Sequence, residues 1–144
     1  MNEDALAYME SFYMALADKT RLRILNLIRD QEVCVYLFTE VLGESQPKIS
    51  RHLAYLRGAG LVTVRREGKW MHYSIAVPST EGGEKVLANV LNWLDDHSEL
   101  RKEWSECQNT RHSKNEIIED AQIAVESEYE NRNCAHTDLD EFLL

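Results

Sequence analysis

A run of polar side chains in the middle of the chain has the chemistry needed to contact nucleic acid. Amide, hydroxyl and imidazole groups can hydrogen-bond to base edges, and lysine and arginine can contact phosphates. More basic residues follow within two short runs rich in β-branched and aromatic residues. The side chains that we predict to contact DNA are Gln46, Lys48, Ser50, Arg51, His52, Tyr55, Arg65, Arg66 and Lys69.

Three cysteines carry a second kind of chemistry. Cys34, Cys107 and Cys134 are too few and too scattered for a disulfide framework, so we expect free thiols in a reducing compartment. Thiolates bind soft metal and metalloid ions, and accessible low-pKa thiols react with oxidants. A cysteine can also be a small buried hydrophobic residue with no further role. All three hypotheses remain open from the residues alone.

Helical spacing places the polar run on one face of a helix. Ser45 is the predicted N-cap and Pro47 lies in the first turn, where a missing N–H costs little. A shorter apolar helix over residues 35–42 precedes it and ends at Gly43, which tolerates the left-handed conformation. The predicted apolar face of the polar helix consists of Ile49, Leu53 and Leu56.

Two further helices are predicted before this pair, and a hairpin and a long helix after it. Asp18 is the predicted N-cap of the second helix, which ends near Asp30. Residues 61–66 and 69–75 read as two strands joined by a glycine-containing turn. An apolar stripe over residues 86–94 predicts the last helix, which we expect to continue past residue 97 toward residue 104.

Three strings in this arrangement resemble the ArsR/SmtB family of repressors. Residues 15–25 read ALADKTRLRIL, which is similar to the family signature LADxTRLxIL. Residues 45–53, SQPKISRHL, resemble its recognition helix, and residues 68–73, GKWMHY, resemble its wing, both most closely in arsenic-responsive members. The resemblance covers residues 5–76.

The resemblance implies a mainly α fold with a small β-hairpin wing, that is, a winged helix-turn-helix with four helices, the wing and a fifth helix. It also implies a homodimer that represses transcription by binding a palindromic site in double-stranded operator DNA, and that leaves the DNA when an inducer binds. The first and last helices would form the dimer. The residues expected at that interface are Leu6, Met9, Tyr13, Leu87, Val90, Leu91 and Leu94.

The inducer site departs from the family pattern. Arsenic repressors carry ELCVCDL where this chain has EVCVYLF, so Cys34 is kept and Tyr36 replaces the second cysteine. A trivalent arsenical needs two or three thiolates, so Cys34 would have to act with Cys107 or Cys134 from either subunit. The expected inducer is arsenite, an organic arsenical or another soft metal ion, with no obligatory cofactor; a thiol-based redox or sulfur response is the alternative. We interpret residues 95–97, Asp-Asp-His, as a solvated helix face.

Charge divides the chain into two regions. Residues 18–76 hold ten lysines and arginines against six acidic residues, whereas residues 77–144 hold six against sixteen. The net charge of −9 therefore lies mostly outside the segment predicted to bind DNA. We expect a DNA-binding and dimerisation domain over residues 1–104 and an acidic, mobile extension over residues 105–144, with a weak helix at about residues 117–125.

Two other classes of protein fit the sequence less well. It has no glycine-rich phosphate loop and no nucleophile elbow, so we do not expect an enzyme. A protein-interaction module without specific DNA binding is the remaining alternative, favoured by the acidic charge. No run approaches the roughly 20 apolar residues of a membrane span, and we expect a cytoplasmic protein with no membrane partner.

Overall fold

The computed structural model describes residues 3–115, which fold into helices around one small sheet. Four helices come first, with a two-residue strand between the second and third; a hairpin and further helical residues follow. The elements are α1 (Glu3–Leu16), α2 (Lys19–Leu27), β1 (Val33–Cys34), α3 (Val35–Leu42), α4 (Gln46–Gly58), β2 (Val62–Glu67), β3 (Trp70–Ile75), α5 (Glu81–Asp95) and α6 (98–115). The predicted winged helix-turn-helix is confirmed.

Local capping starts α2 and α4 and ends α3 where the sequence predicts, whereas α2 ends at Leu27, three residues before the predicted Asp30. The Asp18 carboxylate accepts a hydrogen bond from the Arg21 backbone N–H at 3.0 Å, and the Ser45 hydroxyl accepts one from Lys48 at 3.4 Å. Both satisfy N–H groups that have no partner within the helix. Gly43 ends α3 with a φ of 68°, a left-handed conformation that costs a residue with a Cβ additional energy.

The sheet has three antiparallel strands in the order β1-β3-β2, one more than predicted. The hairpin of β2 and β3 is present, and β1 pairs with the outer edge of β3 through Val33 opposite Tyr73 and Cys34 opposite His72. A two-residue strand is too short to show an alternation pattern, so β1 could not be predicted from the residues alone. Its effect is to join the segment that carries Cys34 to the wing.

The core lies between the helices and one face of the sheet. The predicted inward face of α4 is fully buried, and Phe38 of α3 packs edge-on against Tyr73 of β3 with ring centroids 6.2 Å apart. Burial of these apolar side chains is the main term that holds the elements together. The largest fully buried side chains include Phe38, Ile24, Leu25, Leu27, Ile28, Leu37, Ile49, Leu53, Leu56 and Leu61.

The predicted continuous helix toward residue 104 is wrong, because α5 ends at Asp95 and α6 starts at residue 98. The His97 N–H donates to the Leu94 carbonyl at 3.2 Å, and the Arg101 N–H donates to the His97 carbonyl at 3.1 Å. The Arg101 guanidinium also donates to the Asp95 carbonyl at 2.5 Å, which satisfies a carbonyl at the end of α5. Tertiary contacts then fix α6, since Arg23 of α2 binds the Glu103 carboxylate with two nitrogens.

The chain divides into two compact units. The first runs to Gln108, four residues beyond the boundary predicted at residue 104. The second begins at Asn109; of it the structure describes residues 109–115, which are helical, with the Ser113 hydroxyl donating to the Asn109 carbonyl at 3.1 Å. The remaining acidic extension, with the helix predicted near residues 117–125, lies outside the described residues. Within residues 3–115 no helix combines the length and apolar composition needed to cross a membrane.

Candidate nucleic-acid interface

Helix α4 presents a polar face to solvent and an apolar face to the core. Its apolar residues are fully buried, which fixes the rotation of the helix about its axis. Gln46, Ser50 and Arg51 are exposed, and the Tyr55 ring is 44% exposed. The structure therefore places these four predicted DNA-contacting residues on solvent-accessible positions of one helix.

The two other predicted residues of α4 already have partners within the protein. The Lys48 ammonium lies 3.0 Å from a Glu44 carboxylate oxygen. The His52 side chain is only 16% exposed, and its Nδ1 lies 3.8 Å from the Asp18 carboxylate. His52 therefore lies beside Asp18 at the start of α2 and is mostly shielded from solvent.

Asp18 is both the cap of α2 and the anion beside His52. Burial alone would raise the pKa of the Asp18 carboxyl, but the backbone N–H of Arg21 and the neighbouring His52 and Arg21 side chains together lower it below its ordinary value. The carboxylate form is thus favoured where α2 meets α4.

The three basic residues of the wing differ in how far their charges are already neutralised. Arg65 binds Glu32 with Nη2 at 2.6 Å and Glu67 at 3.1 Å, and these hydrogen bonds raise the pKa of Arg65 further above its ordinary value. Arg66 donates to the Gly68 carbonyl at 3.0 Å, and the Lys69 ammonium lies 5.2 Å from the Trp70 ring centroid. Among the described residues, no ion pair involves Arg66 or Lys69.

The structure adds one basic residue that the sequence reading missed. Arg57 is exposed and follows Ser50 by seven positions, so both lie on the same face of α4. Together with Tyr73 of β3 they line a concavity of about 470 Å³ between α4 and the wing. The seven-residue spacing was the signal that could have identified Arg57.

An apolar surface lies along α1 and the start of α5. The predicted interface residues Leu6, Met9 and Tyr13 are each about half exposed, at 49%, 49% and 51%. A groove of about 550 Å³ runs beside them; its lining includes Tyr8, Met9, Phe12, Tyr13, Gly83 and Val86. A Cβ at Gly83 would lie 3.0 Å from Pro78, so a glycine allows the first turn of α5 to pack this closely.

Leu87 and Leu94 are less accessible than the other predicted interface residues, and their place in the dimer interface stays a prediction. The two side chains are 4% and 9% exposed and lie on the face of α5 that packs into the subunit itself. Val90 and Leu91 are half-buried beside them. Trp93, which the sequence reading did not select, is 70% exposed on the same helix.

The predicted thiol residues do not form a complete ion-binding cluster within residues 3–115. Cys34 is 7% exposed at the start of α3, and Cys107 is fully buried in the core. Tyr36, at the position of the second family cysteine, contacts Trp70 of the wing with ring centroids 5.5 Å apart. Cys134 lies outside the described residues, and among the others no three His, Cys, Asp or Glu side chains are grouped as a metal site.

The interpretation of residues 95–97 as a solvated face holds for two of the three residues. Asp96 and His97 are exposed. Asp95 is half-exposed and forms an ion pair at 2.5 Å with Arg29, two residues after the end of α2. This acidic residue therefore ties the end of α5 to the segment that follows α2.

The amino-acid sequence is similar to those of known bacterial regulators. Residues 18–64 match the family model described as bacterial regulatory protein, arsR family. The arsenic resistance transcriptional regulator ArsR1 of Pseudomonas putida is 52% identical over 87 residues, which cover 57% of this chain and 68% of that protein. The arsenical resistance operon repressor of Escherichia coli is 49% identical over 76 residues, which cover 52% of this chain and 65% of that protein.

A solved structure supports the same fold. The homodimeric winged helix-turn-helix domain of Mb0332 from Mycobacterium bovis, described as a possible ArsR-family regulator, superposes with a TM-score of 0.55 at 29% identity. The match covers 69% of this chain and 92% of that domain. The similarity therefore extends over most of that winged helix-turn-helix domain.

Proposed function

Because this chain belongs to the ArsR family of bacterial transcriptional regulators, we propose that it is a homodimeric repressor that binds a palindromic operator with α4 and the wing. The observation that carries the proposal is the exposed face of α4 with Gln46, Ser50 and Arg51, together with the wing cations Arg66 and Lys69, which form no ion pair with another described residue. A helix of this kind enters the major groove, and the flanking cations contact phosphates. A repressor of this kind would act in the cytoplasm, where its operator DNA would be.

A binding measurement with a single variant tests the assignment of α4. Fluorescence anisotropy would compare wild-type protein, Arg51→Ala and Lys102→Ala on a duplex selected by the wild type from a random library. Loss of a base contact costs about 1–3 kcal/mol, so Arg51→Ala should weaken binding about tenfold or more. Lys102→Ala removes one exposed charge from α6 and should bind as the wild type does. Unchanged affinity of Arg51→Ala would remove Arg51 from the interface.

The dimer is proposed to form through α1 and the first turns of α5. Support comes from the exposed apolar side chains of Leu6, Met9 and Tyr13 beside the groove and from the homodimeric relative of similar fold. Burial of such a patch against a second copy removes apolar surface from water, which is the usual driving force of a homodimer. Two-fold symmetry of the dimer would match two half-sites of a palindrome.

The proposed inducer is a trivalent arsenical held by cysteine thiolates that include Cys34. Two relatives are named for arsenic resistance, and Cys34 lies at the start of α3, directly opposite wing residue His72 in the sheet. The described residues of one subunit do not supply three clustered ligands, so the site needs a further thiolate from Cys107, Cys134 or the second subunit. A redox response of the same thiols is the second candidate.

Release of operator DNA distinguishes these inducers. Arsenite, an aryl arsenic(III) compound, zinc and hydrogen peroxide would each be added to the reduced protein–DNA complex. We expect release by an arsenical, and no release from Cys34→Ser, which should still bind DNA. Cys107→Ala and Cys134→Ser would then identify the second thiolate. Release by peroxide alone would favour the redox response, and normal arsenical release from Cys34→Ser would exclude Cys34 as a ligand.

A further inference from the structure

Arg21 of α2 is a partly buried cation that contacts both α1 and α4. Its side chain is only 12% exposed, and its contacts extend to residues on either side of α2. We infer that Arg21 fixes the orientation of the DNA-contacting helix α4 relative to α1, and so sets the distance between the two half-sites that a dimer can read. The inference rests on the proposed homodimer and palindrome.

Toward α1, Arg21 binds the carboxyl end of the helix. Its Nε donates to the Ala15 carbonyl and its Nη2 donates to the Met14 carbonyl, each at 2.8 Å. The last carbonyls of a helix have no intrahelical donor and carry the negative end of the helix dipole. No basic residue lies in the last turn of α1, so Arg21 supplies the missing cation and two donors together.

Toward α4, the same guanidinium contacts two residues of the polar face. Its Nη1 lies 3.4 Å from His52 Nδ1, and its central carbon lies 4.2 Å above the Tyr55 ring centroid. Asp18 completes the cluster, with its carboxylate 4.0 Å from Arg21 and 3.8 Å from His52. Arg21 therefore makes directional contacts with α1 and α4 through one planar group.

The geometry of a guanidinium suits this link better than that of an ammonium. Its nitrogens point in fixed directions within one plane, whereas a lysine offers one charge on a flexible stem. Lysine at position 21 would keep the charge and lose the paired donors and the stacking on Tyr55. The Arg21→Lys variant therefore tests the role of Arg21 in orienting α4 while it keeps the positive charge at position 21.

A small change in helix orientation has a large effect at DNA. Helix α4 has 13 residues and is about 20 Å long, so a tilt of about 10° moves one end by about 3.5 Å. That displacement is close to the 3.4 Å rise between adjacent base pairs. A dimer whose α4 helices are held firmly against α1 should therefore discriminate between half-site spacings that differ by one base pair.

The test measures affinity against spacing. The palindrome selected by the wild-type protein from a random duplex library would be remade with the centre-to-centre spacing shortened or lengthened by one base pair. We expect the wild type to bind the altered duplexes about tenfold more weakly, and Arg21→Lys to bind all three within about threefold. Arg23→Lys is the matched control, because Arg23 lies on the same helix and binds Glu103 of α6. It should keep the wild-type preference.

Each outcome decides a different point. If Arg21→Lys keeps the wild-type spacing preference, with or without uniformly weaker binding, Arg21 has only a general structural role and the inference is overturned. If the wild type selects no palindrome, the proposed operator fails and the inference fails with it. Circular dichroism and sedimentation would confirm that the variant is folded and dimeric. Should Arg21→Lys not fold, Arg21→Gln, which keeps two N–H donors without the charge, should show the same broadened preference.

Discussion

The wing offers a direct test of whether ion pairs within the protein remove a basic residue from DNA binding. Lys69 and Arg65 both lie in the hairpin, and both belong to the residue types that contact phosphates. Among the residues that the structure describes, Lys69 contacts the Trp70 ring and forms no ion pair, whereas Arg65 is held at 2.6 Å by Glu32 and at 3.1 Å by Glu67. We therefore expect Lys69→Ala and Arg65→Ala to change the salt dependence of binding differently.

The expected size follows from the release of counterions. Each phosphate neutralised by a protein cation adds about 0.9 to the slope of log affinity against log salt, so a fourfold rise in salt costs about 3.5-fold per contact. Lys69→Ala should lower the slope by about 0.9, on operator and on unrelated DNA alike. Arg65→Ala should lower it by less than about 0.3, because two carboxylates already neutralise its charge. Fluorescence anisotropy across a salt series measures both.

Two further variants make the comparison decisive. Lys102→Ala, in α6, should leave the slope unchanged, whereas Glu32→Gln removes one partner of Arg65 and should raise the slope. If Arg65→Ala lowered the salt slope as much as Lys69→Ala does, the reasoning would be refuted. Such a result would mean that Arg65 leaves the Glu32 and Glu67 carboxylates to bind phosphate. An unchanged salt slope for Lys69→Ala would mean that Lys69 of the wing does not contact a DNA phosphate.

Three other predictions concern stability and assembly. Asp18→Ala should lower the free energy of unfolding by about 1 kcal/mol at neutral pH. Because the pKa of Asp18 is lowered from 3.8, this difference should be complete above that pH and shrink as the pH falls below it in urea titrations; a constant difference down to about pH 2 would contradict it. Phe38→Ala should lower the free energy of unfolding by about 3–5 kcal/mol, because Phe38 is fully buried. Val77 is 80% exposed, so Val77→Ala should lower it by less than about 0.5 kcal/mol. Similar losses for the two variants would contradict the placement of the core. Met9→Glu should dissociate the dimer in sedimentation experiments, whereas Val77→Glu should not. An intact Met9→Glu dimer would mean that this part of α1 does not form the interface.

The order of the elements could be predicted from the sequence because local physics dictates it. Asp18 and Ser45 have side-chain oxygens that cap helices within three residues, and Gly43 allows the left-handed stop. The apolar spacing of α4 determined its buried face and, by elimination, its exposed one. These interactions join residues close in sequence, so the polar face of the candidate interface was visible without coordinates.

What the sequence left undetermined involves residues far apart along the chain. Whether Arg65 is a solvated cation depends on Glu32, 33 positions away, and Arg21 reaches His52 across 31 positions. The burial of Leu87 and Leu94 and the end of α5 at Asp95 likewise depend on which elements pack against that helix. The sequence by itself determined the elements and their faces, since capping and periodicity act over one or two turns. Only the tertiary structure decided which charges stay unpaired, because that depends on which distant side chains the packing brings within hydrogen-bond distance.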